Sequence, residues 1–226
     1  MIVAVKQKGD TMNINQFLSF LPTLAQGLGV TIGATILGII TSVLWGCIIS
    51  LLTALNYPGI NIVLKVYVSV FRNSPLLVQM FFLFYGLPYA GITIPPLACG
   101  VIAITLNEGA FIAEIMRGAI KNLPKGDVEA AYSLGLKKSQ VIFKIVFPIA
   151  FRSSIPLILG QTSIVLKDTS LFSMIMISDL TRAGNLYYSK YFDASAIWLV
   201  ALLYISIFLC INLAGKVFER KYAVRR

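Results

Sequence analysis

Long apolar runs separated by short polar segments dominate the chain. Residues 27–55 contain no charged side chain, and this run exceeds the roughly 20 residues that an α-helix needs to cross a bilayer. No charge falls between Arg72 and Glu108 either, but Gly86, Pro88 and the Pro95-Pro96 pair interrupt that stretch. The pattern predicts several membrane-spanning helices, at least one of them broken.

Five spans are predicted from these runs. The second consists of two pieces, because Asn73-Ser74-Pro75 interrupts it, and we expect Asn73 or Ser74 to cap the piece that restarts, with Pro75 in its first turn. The fourth also has two apolar pieces. The predicted spans are 27–55, 60–71 with 75–85, 96–119, 153–165 with 171–177, and 194–215.

The composition supports an all-α integral membrane protein. Hydrophobic residues make up 58% of the chain and charged residues 12%, whereas soluble domains are about 45–50% apolar and about 25% charged. The net charge of +10 would suggest a nucleic-acid partner only on a soluble fold with a basic face, so no such partner is expected. Three cysteines inside apolar runs and no histidine give no reason to expect a metal site.

The distribution of Lys and Arg predicts the orientation. Of the 19, only Lys6, Lys8, Lys167, Arg182 and Lys190 lie on the side of the N-terminus, and the other fourteen lie on the side of the C-terminus. Positive charge favours the cytoplasm, so the N-terminus is predicted outside and the C-terminus in the cytoplasm. The predicted parts are an extracytoplasmic or interfacial segment 1–26, a transmembrane domain 27–217 with a cytoplasmic loop 121–150, and a basic tail 218–226.

That loop is the most structured polar segment of the sequence. Asp127 as N-cap, Glu129 in the first turn and Gly135 after the last turn predict a short helix. A second helix is predicted to follow, with Ser139 as its cap and a kink at Pro148. The residues alone leave two interpretations open: an amphipathic linker on the membrane surface, or a docking element whose small alanines let another protein approach.

A known motif resembles this loop. Glu129-Ala130-Ala131, three residues, Gly135, nine residues and Ile145-Val146-Phe147-Pro148 are similar to the EAA motif of ABC-importer permeases, with Phe147 where leucine is usual. Four other stretches, 71–79, 109–118, 167–171 and 180–182, resemble the polar amino acid branch of that family, the histidine, glutamine, arginine and cystine type. The likeness runs from about residue 27 to the C-terminus.

This resemblance implies a type I ABC-importer transmembrane domain in the bacterial cytoplasmic (inner) membrane. It would import a polar amino acid by alternating access, as one permease subunit that pairs with a second copy or a paralogue. The implied partners are a cytoplasmic ABC ATPase dimer, which binds ATP-Mg, an extracytoplasmic solute-binding protein and membrane lipid. The sequence has no G-x-x-x-x-G-K-[ST] phosphate loop, so the chain is expected to hold no cofactor and to be no enzyme itself.

The resemblance assigns the ATPase-coupling role to Glu129, Ala130, Ala131 and Gly135. An alternative for Glu129 is that its charge only stabilises its own helix.

Polar groups at membrane depth are the candidates for the substrate site. Glu108 lies about 12 residues, or about 18 Å, into span three, and Asp168 and Thr169 lie where span four is predicted to be interrupted. Carboxylates at Glu108 and Asp168 would favour a cationic or zwitterionic amino acid. The proposed site residues are Glu108, Asp168, Thr169 and Gln79.

Each of these candidates has a structural alternative. Asp168 could pair with Lys167, Gln79 could hydrogen-bond between helices, and Glu114 and Arg117 are expected to form an ion pair within one helix. At the level of function, the alternatives are an ion-gradient-driven secondary carrier and a membrane scaffold. A carrier would usually be longer, with two repeats in one chain, and polar groups at membrane depth argue against a scaffold.

Overall fold

The computed structural model describes residues 14–222, and all regular structure within them is helical. Its α-helices are Ile14–Leu55 (α1), Pro58–Asn73 (α2), Leu76–Phe81 (α3), Pro96–Lys121 (α4), Lys125–Ser133 (α5), Lys138–Val141 (α6), Phe147–Asp168 (α7), Leu180–Tyr191 (α8) and Ser195–Tyr222 (α9). Four segments have other helical geometries: π-helical turns at Phe82–Gly86 and Ile142–Val146, and 3-10 helices at Leu87–Ala90 and Thr169–Ile175.

Four stretches of the described chain are long and apolar enough to cross a membrane as single helices. They are Asn15–Leu55, Pro96–Lys121, Lys138–Ile175 and Ser195–Val217. The pair Pro58–Asn73 and Leu76–Ala90 passes the same test only when its two parts are taken together. Residues 14–222 therefore contain four spans, or five when this pair is counted as one broken span.

The second predicted span is bent by 107° at its break, and the predicted caps are wrong. The Asn73 amide donates to the Ser69 carbonyl at 2.7 Å, and the Ser74 hydroxyl donates to the Val70 carbonyl at 2.8 Å. Both side chains therefore close α2 instead of opening α3, which begins after Pro75. The physical reason is that proline forces the preceding residue into an extended conformation, and Ser74 has a ψ of 143°.

The first and fourth spans begin earlier than predicted. Helix α1 starts at Ile14, because residues 14–26 carry no charge and Pro22 is accommodated inside the helix. The fourth span starts at Lys138 instead of Ser153. Pro148 has no N–H for the carbonyl four residues earlier, and the wider π-helical turn at Ile142–Val146 precedes it without ending the helix. The predicted interruption near Thr169 is present as the change from α-helix to 3-10 helix.

The residue bounds predicted for the parts of the chain can be compared with the observed helix ends. The start of α1 at Ile14 means that the boundary at residue 27 is not a helix boundary, and α9 continues past residue 217 to Tyr222. Residues 1–13 of the predicted N-terminal segment and residues 223–226 of the predicted tail lie outside the described residues. Span three, predicted at 96–119, is confirmed as α4.

Helices α1 and α4 pack closely through glycines. A Cβ at Gly46 would lie 2.6 Å from the Ile112 side chain, and a Cβ at Gly109 would lie 2.7 Å from Trp45. Small residues at such contacts let two helix backbones approach in lipid, where dispersion forces drive association. The two helices form the central wall against which α2, α7 and α8 are packed.

Candidate functional site

The predicted loop helix exists, and its two ends show where the sequence signals were right and wrong. Helix α5 begins at Lys125 after Pro124, so Asp127 lies in its first turn and is not the N-cap. Gly135 has a φ of +78°, in the left-handed region that glycine favours. The Gly135 N–H donates to the Tyr132 carbonyl and the Leu136 N–H to the Ala131 carbonyl, the two bonds of a Schellman motif. The C-terminal prediction is confirmed.

The second loop helix also begins earlier than its predicted cap. Lys137 occupies the cap position and α6 starts at Lys138, so Ser139 lies inside the helix. The Gln140 side chain accepts a hydrogen bond from the Lys137 N–H at 2.9 Å. The glutamine three residues after the cap therefore satisfies one of the free donors at the helix start.

The two alanines of the motif face opposite environments. Ala131 is only 2% exposed and packs in a core cluster with Val141 and Val146. Ala130 and Glu129 are exposed, and Leu134 is 82% exposed. The expectation that both alanines present a surface to a partner is therefore wrong for Ala131, which holds α5 against α6 and the following π-helical turn. The remaining free face carries Glu129, Ala130 and Leu134.

At membrane depth, Glu108 is buried against another helix. Glu108 is only 1% exposed. Its Oε2 atom accepts a hydrogen bond of 2.9 Å from the Gln161 amide of α7. Asp168 lies seven residues beyond Gln161, which is two helical turns, or about 10 Å, along the same face of α7. This spacing puts Asp168 on the same side of α7 as Gln161, which contacts Glu108 of α4.

The predicted alternative of a pair between Lys167 and Asp168 is not formed as a direct contact among residues 14–222. The Lys167 ammonium lies 5.2 Å from the centre of the Phe208 ring. Thr169 is fully buried, and its hydroxyl donates to the Leu166 carbonyl at 2.7 Å. Its hydroxyl therefore closes the last α-helical turn before the 3-10 helix.

Gln79 lies elsewhere, at the bend between α2 and α3. Its Nε2 atom donates to the Phe71 carbonyl at 3.0 Å and to the Ser74 hydroxyl at 2.8 Å, while its Oε1 atom is buried with no partner among the described residues. The Asn107 amide donates to the same Phe71 carbonyl at 2.7 Å. Gln79 thus fixes the bend, and Asn107 was not among the residues predicted from the sequence. An amide directly before Glu108 inside an apolar run was the signal that could have found it.

The predicted ion pair on α4 is confirmed, and it has a third member. Arg117 donates to both carboxylate oxygens of Glu114, at 2.8 Å and 2.5 Å. Arg72 of α2 approaches the same carboxylate at 3.7 Å. The carboxylate therefore links α4 to the end of α2.

A cavity of about 760 Å³ opens between the C-terminal half of α4 and the N-terminal half of α7. Its polar lining residues are Glu114, Asn122, Arg152, Ser153 and Ser154, and the rest of the lining is mostly apolar. Ligand sites of small molecules are commonly of this size and composition. Within residues 14–222, no group of three or more His, Cys, Asp or Glu side chains could hold a metal ion.

Comparison with known families explains this arrangement. Residues 46–224 match the family model described as binding-protein-dependent transport system inner membrane component. The chain belongs to this family. It is therefore a permease component of a binding-protein-dependent transport system in the inner membrane, and the ABC-permease resemblance of the EAA segment is confirmed at the level of the family.

Curated relatives and solved structures cover most of the chain. The L-cystine transport system permease protein TcyB of Bacillus subtilis (strain 168) is 36% identical over 209 residues, 90% of this chain and 88% of that protein. The glutamine transport system permease protein GlnP of Escherichia coli (strain K12) is 33% identical over 207 residues, 90% of this chain and 94% of that protein.

The chain is also similar to a crystal structure of an amino acid ABC transporter with histidines. That similarity has a TM-score of 0.84 at 29% identity and covers 94% of this chain and 100% of the other. An inward-facing MetNI methionine ABC transporter gives a TM-score of 0.76 at 18% identity, covering 89% and 97% of the two chains. The second similarity concerns the fold alone. Together they establish the type I ABC-importer permease fold, and the alternative of an ion-gradient-driven carrier finds no support.

Proposed function

We propose that this chain is the permease subunit of an importer for a polar amino acid. The observation that carries the proposal is the identity of 33–36%, over 90% of the chain, to permease proteins of L-cystine and glutamine transport systems. A second permease copy or paralogue, an ABC ATPase dimer and an extracytoplasmic solute-binding protein would complete the importer. ATP-Mg bound by the ATPases would supply the energy for transport.

The free face of α5 is proposed to seat on the ATPase in the cytoplasm. Glu129 makes no ion pair with residues 14–222, and it lies beside the exposed Ala130 and Leu134. The exposed leucine offers an apolar contact beside the charge of Glu129. Ala131 and Gly135 support this face from within the chain, Ala131 by packing and Gly135 by ending the helix. This assignment includes the orientation predicted from charge, with the N-terminus outside and the C-terminus in the cytoplasm.

We propose that movement of α5 is transmitted to the membrane-spanning helices α4 and α7 through the short segments that connect them to α5. Three residues separate α4 from α5, and α5 packs on the helices that lead into α7. A helix tied in this way transmits rigid-body motion, which fits alternating access by tilting of whole helices. The cavity between α4 and α7 lies next to this element and is the proposed exit path on the cytoplasmic side.

The substrate site is proposed at the α4–α7 side near Glu108. Its carboxylate and that of Asp168 would attract the ammonium group of a cationic or zwitterionic amino acid. Thr169 marks the end of α7, where the helix changes its geometry, and broken helices at membrane depth expose backbone groups to solutes. Gln79 would act at a distance from these residues by fixing the bend in span two.

The test is uptake by the assembled importer in proteoliposomes. The purified chain, its copurifying ATPase and the associated solute-binding protein are combined, and cystine, glutamine, histidine and arginine are offered in turn. We expect uptake of at least one of them to require ATP in the vesicle lumen, in those vesicles whose ATPase faces the lumen. Uptake that follows an ion gradient without ATP would contradict the proposal, and so would purification without any ATPase under conditions that retain the folded chain.

A further inference from the structure

A second cleft, of about 360 Å³, lies between α1, α2 and α4. Its apolar floor includes Leu64 and Val68, and its rim carries Lys65, Arg72 and Arg117. This cleft lies apart from the proposed substrate residues Glu108 and Asp168. None of the functions described above uses its three cations.

The cations are arranged in a way that one anion could contact. Lys65, Ser69 and Arg72 follow each other at spacings of four and three residues, so they lie along one face of α2. Arg117 lines the same cleft from α4. The Ser69 hydroxyl donates no hydrogen bond to the described residues, although its backbone carbonyl accepts one. Two helices thus direct three positive charges and a free hydroxyl into one cleft.

The charges are only partly compensated. Glu114 is the one carboxylate in the lining, and it pairs with Arg117 and, at 3.7 Å, with Arg72. Lys65 makes no ion pair within residues 14–222. Three cations against one carboxylate leave two positive charges. Arg72 is held in place by Glu114 and by the Phe111 ring, whose centre lies 5.2 Å from the guanidinium carbon. An anion that binds here would therefore lose little free energy to ordering the Arg72 side chain.

The surroundings of the cleft favour a lipid over a soluble anion. Arg117 lies four residues, or about 6 Å, before the end of α4 at Lys121, which is the depth of lipid headgroups when α4 spans the bilayer. On α2, Ile62 is 66% exposed and Val66 is 56% exposed, and both lie within one turn of Lys65. Acyl chains can cover these apolar side chains while the phosphate enters the cleft.

We propose that this cleft binds the phosphate of an anionic phospholipid. Lys65, Arg72 and Arg117 contact the phosphate, the Ser69 hydroxyl donates to it, and the exposed apolar residues of α2 contact the acyl chains. Basic pockets between spans on the cytoplasmic side are suited to such headgroups. The choice of leaflet rests on the orientation given under the proposed function, whereas the binding itself does not depend on it.

The experiment measures lipid retained by the full-length chain in its purified importer complex. The complex is incubated with phosphatidylglycerol or phosphatidylcholine in detergent, and bound lipid is counted by native mass spectrometry, without nucleotide or amino acid. We expect phosphatidylglycerol to be retained at least about tenfold more strongly, since each basic group contributes about a fivefold gain near an anionic headgroup. Lys65→Gln should lower this retention about fivefold and Lys65→Glu about thirtyfold.

Lys121→Glu is the matched control. It makes the same charge change at an exposed residue on the same side of the membrane, but Lys121 does not line the cleft, so retention should change less than twofold. Lys65 is exposed and forms no ion pair with the described residues, so the variant chains are expected to fold, which the thermal midpoint checks. Equal retention of both lipids, or equal effects of Lys65→Glu and Lys121→Glu, would overturn the proposal. Displacement of the lipid by millimolar inorganic phosphate would assign the cleft to a soluble anion instead. Because no transport is measured, failure here leaves the proposed importer function untouched.

Discussion

Glu108 on α4 and Gln161 on α7 are joined by a hydrogen bond of 2.9 Å, in which the amide donates to the carboxylate. The two residues are 53 positions apart in the chain, and Glu108 is only 1% exposed. A buried carboxylate with one neutral donor is costly, and such a group inside a membrane span usually serves a function. This contact is the strongest structural reason to place substrate recognition between α4 and α7.

Replacing Glu108 by Gln should separate its charge from its packing. The amide keeps the size of the side chain and can still bond to Gln161, so the thermal midpoint in detergent should stay within a few degrees. Loss of the negative charge should weaken uptake of a cationic or zwitterionic amino acid by at least about tenfold, as expected when a buried charged contact is lost. The measurement is the dependence of uptake rate on substrate concentration in proteoliposomes.

The control for this change is Gln161→Ala, which leaves the carboxylate without its donor. Stability should fall by about 1–3 kcal/mol for the unsatisfied group, while the charge remains. Normal uptake by the Glu108→Gln variant would exclude a role of this carboxylate in substrate binding.

The two alanines of the EAA segment should respond in different ways to the same enlargement. Ala130→Trp should leave the thermal midpoint of the chain unchanged, because Ala130 is exposed, and should abolish copurification of the ATPase. Ala131→Trp should destabilise the chain by about 1–3 kcal/mol through overpacking of the buried cluster around α5. Thermal unfolding and the amount of bound ATPase are measured side by side. An ATPase that still binds the Ala130→Trp chain would contradict docking on this face.

The turn after α5 should depend on glycine for conformational reasons alone. Gly135 has a φ of +78°, and a Cβ there would have no atom within 4 Å. Gly135→Ala should therefore cost about 1–2 kcal/mol from the left-handed backbone conformation, without any steric clash. The measurement is the midpoint of unfolding in detergent.

Gly126 offers a matched comparison in the same loop. It lies inside α5, a Cβ there would also be in open space, and its φ is not in the left-handed region. Gly126→Ala should stabilise the helix by about 0.5–1 kcal/mol. Equal effects of the two substitutions would contradict the role assigned to the Gly135 backbone.

The contact between α1 and α4 should tolerate no side chain at Gly46. A Cβ there would lie 2.6 Å from Ile112 and 2.9 Å from the Gly109 carbonyl, so Gly46→Ala should separate the two helices and lower stability by about 1–3 kcal/mol. Gly33→Ala on the same helix meets nothing within 4 Å and should be neutral or slightly stabilising. The thermal midpoint and the yield of folded chain are the measurements. Loss of stability in both variants would point to a general effect of alanine in α1.

Local signals predicted much of the fold, and the places where they failed have a common cause. Gly135 at the helix end and the pairing of Glu114 with Arg117 were predicted from neighbouring residues, and the structure confirms both. The caps at Asp127, Ser139 and Asn73 were wrong by two or three positions, because proline and packing against neighbouring helices moved the helix starts. The sequence also predicted neither the 107° bend of span two nor the continuity of the fourth span through Pro148.

For the candidate site too, the sequence identified individual residues but not their contacts. Charged or amide residues within apolar runs identified Glu108, Asp168 and Gln79, since water is absent there and each polar group needs a reason to be present. The partner of each group could not be predicted from its position in the chain. Gln161 contacts Glu108, Asn107 contacts the Phe71 carbonyl, and Arg72 contacts Glu114, and each of these pairs is formed by residues at least 36 positions apart.

The sequence by itself determined that the protein is helical and membrane-embedded, and it determined the segment that resembles a coupling element. Those properties depend on hydrophobicity, charge and spacing over at most a few helical turns. The tertiary structure alone decided which alanine of the EAA segment is free and which is buried, and that three cations share one cleft. It decided them because the side of a helix that faces protein is set by the packing of distant segments, which no local pattern specifies.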